Sequence, residues 1–211
     1  QPFQGETDLR ISSPKGISFD QVLALSLEKV ADEVIDSFQR DYDLVVTNFA
    51  NGDVIGHTSS TEAKIRCAEI VDYHLQRVVT AAKTKGYVIL VTADHGNLEE
   101  LYTSEGTPHV AHTKNLVPFL AIDPLKGESL KPEDGSLQDI APTILKILSV
   151  EKPAIMTGKN LLPDHDFEEN RKVLLIILDG WGNGALARSQ GARADAHIPL
   201  RPGRLRGCAG L

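Results

Sequence analysis

The chain has 211 residues, enough for one sizeable domain, and its 41% hydrophobic and 24% charged make-up is that of a soluble globular protein. A net charge of -7 argues against nucleic acid or an anionic membrane as partner, yet leaves room for an anionic substrate at a metal-bearing site. No apolar run approaches the about 20 residues that span a bilayer, the first 15 residues lack the apolar core of a secretory leader, and Cys67 and Cys208 have no paired spacing, so a reducing, cytoplasmic setting is expected.

Residues 1–15 carry Gly5, Pro14 and many polar side chains and read as irregular chain leading into the domain. Ser18 with Gln21 three residues on resembles a capping box, and Leu23, Leu27, Val30, Val34 and Phe38 then recur at helical spacing. Residues 43–49 (DLVVTNF) are expected to be a buried strand, followed by a loop over residues 50–58 that carries Asp53 and His57. Ser59 with Glu62 reads as the cap of a second helix, whose stripe runs through Ile65, Ala68, Val71, Leu75, Val78 and Ala82 and stops at Gly86. Residues 87–93 (YVILVTA) form a second buried strand that ends abruptly in Asp94-His95-Gly96-Asn97. Residues 98–112 read as mostly loop, and residues 117–122 as a short strand near a sheet edge, since Pro118 cannot donate to a ladder. After a polar turn region over residues 126–136, residues 139–148 read as a helix with Pro142 in its first turn. A connector follows, and residues 172–178 (KVLLIIL) form a strong buried strand ending in Asp179. From residue 184 the chain becomes rich in arginine, without lysine or period, and residues 184–211 read as a disordered or weakly structured tail.

Helices alternating with buried strands predict an α/β fold: a mostly parallel sheet with helices on both faces, over residues 1–183. Within it, Asp53 with His57, Asp94 with His95, and Asp179 each follow a buried strand, and His112 lies in a loop leading into another. Taken singly, a loop Asp is an ordinary turn or cap residue and a loop His is ordinarily solvated. Taken together, carboxylates and imidazoles at several strand ends converge on the crevice where open α/β sheets place their ligands. Hard oxygens and borderline nitrogens suit divalent transition metals, and two ions about 3.5–4 Å apart would clamp a phosphoryl group.

The ordered motifs ISSPKG, NFANGDVIGHT, VTADHGN, VAHTKNLVPF, DIAPTIL, MTGKNLL and LLIILDGWG resemble cofactor-independent phosphoglycerate mutase, of the alkaline phosphatase superfamily, from about Phe3 to Gly184. The resemblance implies an alkaline-phosphatase-like fold and two divalent metal ions, taken as Mn2+. One ion would be held by Asp53, His57 and His112, and the other by Asp94, His95 and Asp179 together with a serine nucleophile. It also implies that Lys15 contacts the transferred phosphoryl group. The implied reaction interconverts 2- and 3-phosphoglycerate through a phosphoserine, with phosphoglycerate as the partner and neither nucleic acid nor membrane involved. Another metal-dependent phosphohydrolase or phosphomutase of the superfamily, or a metal-binding remnant without turnover, are the alternatives.

Three departures accompany the resemblance. The family's DGWG strand opens its chain, whereas here it comes last; no segment matches the family's serine motif, Ser189 lying in the Arg-rich tail without its context; and the family's second, substrate-gripping domain has no counterpart. The sequence leaves open a permuted chain, a truncated or frame-shifted one, and a DGWG strand that docks into a second copy. For the permuted chain, the connector over residues 161–171 must return Asp179 to the site, and eleven extended residues reach roughly 36–40 Å. The expectation is a chain that keeps the metal site but is inactive alone.

Overall fold

The computed structural model describes residues 3–14, 16, 18–168 and 171–184. Its centre is a five-stranded sheet in the order β1-β5-β2-β3-β4, formed by Leu44–Phe49 (β1), Val88–Thr92 (β2), Phe119–Asp123 (β3), Glu128–Leu130 (β4) and Val173–Leu178 (β5). β5 pairs in parallel with both β1 and β2, while β3 runs antiparallel to β2 and to β4. Four strands therefore point one way and β3 the other, so the sheet is mostly parallel as expected. The strand that comes last among the described residues fills the gap between the first two.

The uninterrupted apolar runs of β2 and β5 follow from this central position, because each strand is covered on both faces. Ile89, Val91, Leu174, Ile176 and Leu178 face one core, which they share with helices α1 (Leu27–Ser37) and α3 (Thr61–Thr84). Val88, Leu90, Val173 and Leu175 face the other, packed against Ile144 and Ile147 of α4 (Ile140–Ile147) and against Leu162. In α3, Cys67, Val71, Leu75, Val78 and Ala82 recur every three or four residues and all turn inward. Gly86, at φ +74°, ends that helix and turns the chain into β2.

Several local expectations are corrected. The strand over residues 43–49 is not buried on both faces: β1 is an edge strand, with Val45 and Phe49 in the core and Leu44 and Val46 outside. The region read as polar turn holds a strand, β4, which pairs with the strand after Pro118 and leaves that strand one in from the sheet edge, near it as expected. Ser18 precedes only a short 3-10 turn, Phe19–Gln21, without the side-chain hydrogen bond of a capping box, and α1 begins only at Leu27. The second helix is capped by Ser60, whose hydroxyl accepts from the Ala63 N–H, one residue later than the sequence suggested. The expected loop over residues 50–58 contains a short helix, α2 (Asn51–Gly56). The tail from residue 185 lies outside the described residues.

Candidate metal centre

The three strands that pair in parallel, β1, β5 and β2, each deliver a carboxylate at the same end of the sheet. Asp53 sits in the first turn of α2 just beyond β1, Asp94 follows β2, and Asp179 follows β5. Two glycines set the close approach of the first and last of these. Gly180 adopts φ +75°, and a Cβ there would lie 2.5 Å from the Asp53 nitrogen; a Cβ on Gly52 would lie 2.4 Å from the Asp179 carbonyl oxygen. The Asp179–Gly180 turn and the start of α2 thus touch backbone to backbone, which only glycine permits.

The imidazoles arrive from α2 and from two loops. His57 lies one turn after Asp53, with its Nε2 3.1 Å from Asp53 Oδ1. The loops after β2 and before β3 are joined at Gly96 and Thr113, whose N–H donates to the Gly96 carbonyl at 2.9 Å. That bridge stacks His112 on His95, with ring centroids 3.8 Å apart. His112 Nε2 then lies 3.0 Å from Asp53 Oδ1 and 3.2 Å from His57 Nε2. His95 stands between the two halves of the cluster, its Nε2 3.6 Å from Asp94 Oδ2, 3.7 Å from Asp179 Oδ1 and 3.9 Å from Asp53 Oδ1.

Backbone contacts fix which ring nitrogen faces inward. His57 Nδ1 donates to the Val110 carbonyl at 2.9 Å, so in the neutral ring it is Nε2 that carries the lone pair. That lone pair meets the Asp53 carboxylate at 3.1 Å, an acceptor facing an acceptor, which is stable only with a proton or a cation between them. The carboxylates are held in turn by amides: Asn48 donates to Asp179 Oδ2 at 2.9 Å and Asn97 to Asp53 Oδ1 at 3.1 Å.

The electrostatics divide the cluster. Burial pushes the Asp179 carboxyl above the usual range, and Asp94 and Asp53 push it further, outweighing the Asn48 hydrogen bond and His95. Burial also works against the Asp53 charge, but Asn97, His57, His112 and His95 together bring that carboxyl below the usual range. Excess negative charge with inward-facing imidazole nitrogens is the donor chemistry of a divalent transition-metal site, and two overlapping sets, Asp53-His95-His112 and Asp94-His95-Asp179, have ligand atoms close enough to share an ion.

All six groups named from the sequence are therefore in one crevice, with Asn48 and Asn97 beside them. Lys15 lies outside the described residues. His109 Nε2 lies 3.9 Å from Glu100 Oε2, and its buried Nδ1 has no hydrogen-bond partner among the described residues. His74 and Cys67 are buried on α3, and Trp181 packs into the core behind β5. A recess of about 610 Å³ between residues 5–13, α1 and β1 reaches Asn48 but includes none of the six, whereas His57, Asp94 and His112 are themselves open to solvent. Sequence reasoning missed Glu99, a carboxylate buried immediately behind the crevice. The pair Glu99-Glu100 is visible in the sequence, but nothing there says which of the two turns inward.

The pattern of the Metalloenzyme superfamily matches residues 1–152. Proteins described as 2,3-bisphosphoglycerate-independent phosphoglycerate mutase are 45% identical over 163 residues in Moorella thermoacetica and 42% identical over 162 residues in Halobacterium salinarum. These alignments cover 77% and 76% of this chain but 31% and 32% of the relatives, so the chain spans about a third of their length. A crystal structure of Leishmania mexicana phosphoglycerate mutase at low cobalt concentration shares the fold, with a TM-score of 0.62 at 24% identity over 74% of this chain and 31% of that one. The superfamily pattern, extending over most of the chain and through five of the six clustered residues, identifies the chain as a member of the Metalloenzyme superfamily.

Proposed function

We propose that this chain is the metal-binding, phosphatase-type half of a phosphoryl-transfer enzyme that acts on phosphoglycerate. The observation that carries the reading is the meeting of Asp53, His57, Asp94, His95, His112 and Asp179 at one end of the sheet. Asp53, His57 and His112 would hold one ion, and Asp94, His95 and Asp179 the other. His95, within 4 Å of carboxylates on both sides, would couple the two. Two divalent ions, with Mn2+ the first choice, would neutralise charge on the phosphoryl oxygens and lower the proton affinity of an attacking hydroxyl.

The protein's own groups supply orientation. The Val110 carbonyl holds His57 with Nε2 inward, while Asn48 and Asn97 each fix one carboxylate. The side chains of His57, His112 and Asp94 stay nearly half exposed, at 46%, 50% and 43%, which gives a phosphorylated substrate a path from solvent. Lys15 would add a cation for the transferred group. The attacking hydroxyl belongs, in the resemblance, to a serine motif that this sequence does not match. Metal and phosphate binding are therefore proposed for the chain itself, and interconversion of 2- and 3-phosphoglycerate only where that hydroxyl and a glycerate-gripping region are supplied, in a cytoplasmic setting. That mismatch also favours the second reading, a metal-binding remnant without turnover.

Calorimetric titration with Mn2+ tests the proposal, and two ions per chain are expected. Failure to bind any divalent ion would sink it. Binding without conversion of either phosphoglycerate, even when the missing hydroxyl and glycerate-gripping region are supplied, would leave the second reading.

A further inference from the structure

We infer that Glu99 is a positioning residue, which ties together the loops that carry the proposed ligands. The inference rests on the metal-binding reading above. Glu99 is 2% exposed. Its Oε2 accepts from the Asn97 N–H at 2.8 Å and the Gly182 N–H at 3.0 Å, and its Oε1 accepts from the Thr113 hydroxyl and from Asn115 Nδ2 at 2.9 Å. These donors stand close to three proposed ligands in sequence: Asn97 two residues after His95, Thr113 next to His112, and Gly182 three residues after Asp179. Asn97 carries the connection onward through its own hydrogen bond to Asp53 Oδ1. One carboxylate thus joins the segments following β2 and β5 to the loop preceding β3, and reaches α2 through Asn97.

The surroundings are built for this carboxylate. A Cβ on Gly96 or on Gly182 would lie 2.3 Å from Glu99 Oε1, so either would displace it. Burial works against its charge, but the hydrogen bonds from Thr113 and Asn115 and from the backbone outweigh it and keep the group ionised. The buried Lys64 ammonium, which donates to the His109 carbonyl, adds a favourable field. An ionised carboxylate offers about four lone-pair directions, and here four donors occupy them. Glu99 therefore has none left for an ion, and its part is to hold the loops rather than to ligate.

The test uses the full chain, with Glu99→Gln, which removes the charge and turns one acceptor into a donor, and Glu99→Ala. Mn2+ affinity is read by calorimetry, and amide hydrogen exchange is read on the metal-free protein. The expected loss of Mn2+ affinity is about tenfold for Glu99→Gln and up to about 100-fold for Glu99→Ala. Without metal, exchange should quicken at the amides of Leu98, Thr113 and Asn183, which bond to Gly180, Gly96 and Leu116 rather than to Glu99. A role confined to general stability predicts a lower melting temperature with unchanged Mn2+ affinity and unchanged exchange at those amides, and that result overturns the inference. If Glu99→Gln does not fold, Thr113→Val removes one donor and should weaken Mn2+ binding by a smaller factor; no weakening overturns the inference equally. If the unaltered chain binds no Mn2+, the metal-binding reading fails by itself, and exchange in the metal-free variants decides whether Glu99 couples the loops.

Discussion

The two ends of the sheet treat strand-end carboxylates in opposite ways. Where β3 ends, beside the starts of β2 and β5, Asp123 is fully buried and forms a two-pronged ion pair with Arg171, at 2.6 and 3.0 Å, with the Leu125 N–H as a further donor. Burial disfavours its charge, yet the guanidinium and that N–H bring its carboxyl below the usual range. At the other end, Asp179 has one amide donor and faces two more carboxylates, and its carboxyl is raised. Both aspartates close a strand, so position alone does not separate them. The neighbours do: one end pairs its carboxylate with a guanidinium, and the other gathers carboxylates that repel one another.

The comparison breaks most visibly at the closed end. Arg171→Met leaves Asp123 buried without its partner, and removing one member of a buried ion pair costs about 3–5 kcal/mol. Urea unfolding of the metal-free chain measures the loss, and Mn2+ affinity at the far end of the sheet should be unchanged. A fall in affinity as large as the fall in stability would mean that the two ends are not independent. Next in size is Gly180→Ala at the open end. A left-handed φ on a residue with a Cβ costs about 1–2 kcal/mol, and crowding the Asp53 backbone adds about 1–3 kcal/mol. Unlike Arg171→Met, this change should lower stability and Mn2+ affinity together, because it moves Asp53 away from Asp179.

The cation itself sharpens the contrast. Mn2+ at about 100 times its dissociation constant should raise the stability of the chain by about 2.7 kcal/mol for each occupied site. Asp179→Asn should remove that gain at its own site while leaving the metal-free chain as stable as before, or more so by about 0.5–2 kcal/mol, since a carboxylate under repulsion is taken away. Thermal unfolding with and without Mn2+ separates these outcomes. A metal-free chain weakened by Asp179→Asn would show that the open end is held together by its carboxylates rather than strained by them.

What the sequence discloses follows the same division. Asp53, His57, Asp94, His95, His112 and Asp179 were legible because each recurs in a motif at or near a strand end, a pattern local enough to read residue by residue. The buried strands β2 and β5 were legible from their apolar runs. Pairing was not: that β5 lies between β1 and β2, and that β4 covers β3, depends on which strands meet, and no periodicity within a strand encodes its neighbours. For the same reason β1 reads as fully buried until its second face is seen to lack a covering helix. Asp123–Arg171 spans 48 positions and joins a strand end to a connector, so neither residue signals the other. Glu99 escaped because its partners come from three separate segments. The helix α2 escaped because Asn51, Gly52 and Gly56 are turn formers by composition, and the close approach of Gly52 to the Asp179 carbonyl is visible only once the chain is folded.

The smallest effect concerns acid. Asp123 has a folded pKa below its ordinary value of 3.8, so its pairing contributes stability that is complete above that value. As the pH falls below 3.8 toward the folded pKa, the unfolded chain takes up the proton first and the contribution is lost. The stability difference between the chain and its Asp123→Asn variant should therefore be flat from neutral pH down to about pH 5 and shrink below about pH 4. Asp179 has the opposite sign: its folded pKa is raised, so its ionisation costs stability once the pH exceeds that value, and Asp179→Asn should bring its benefit at neutral pH and lose it in acid. Urea unfolding of the metal-free chain and both variants across this range measures the two trends, which should run in opposite directions. Parallel trends would mean that the two ends of the sheet do not differ in charge balance, and the contrast between a closed ion pair and an open cation site would fall with them.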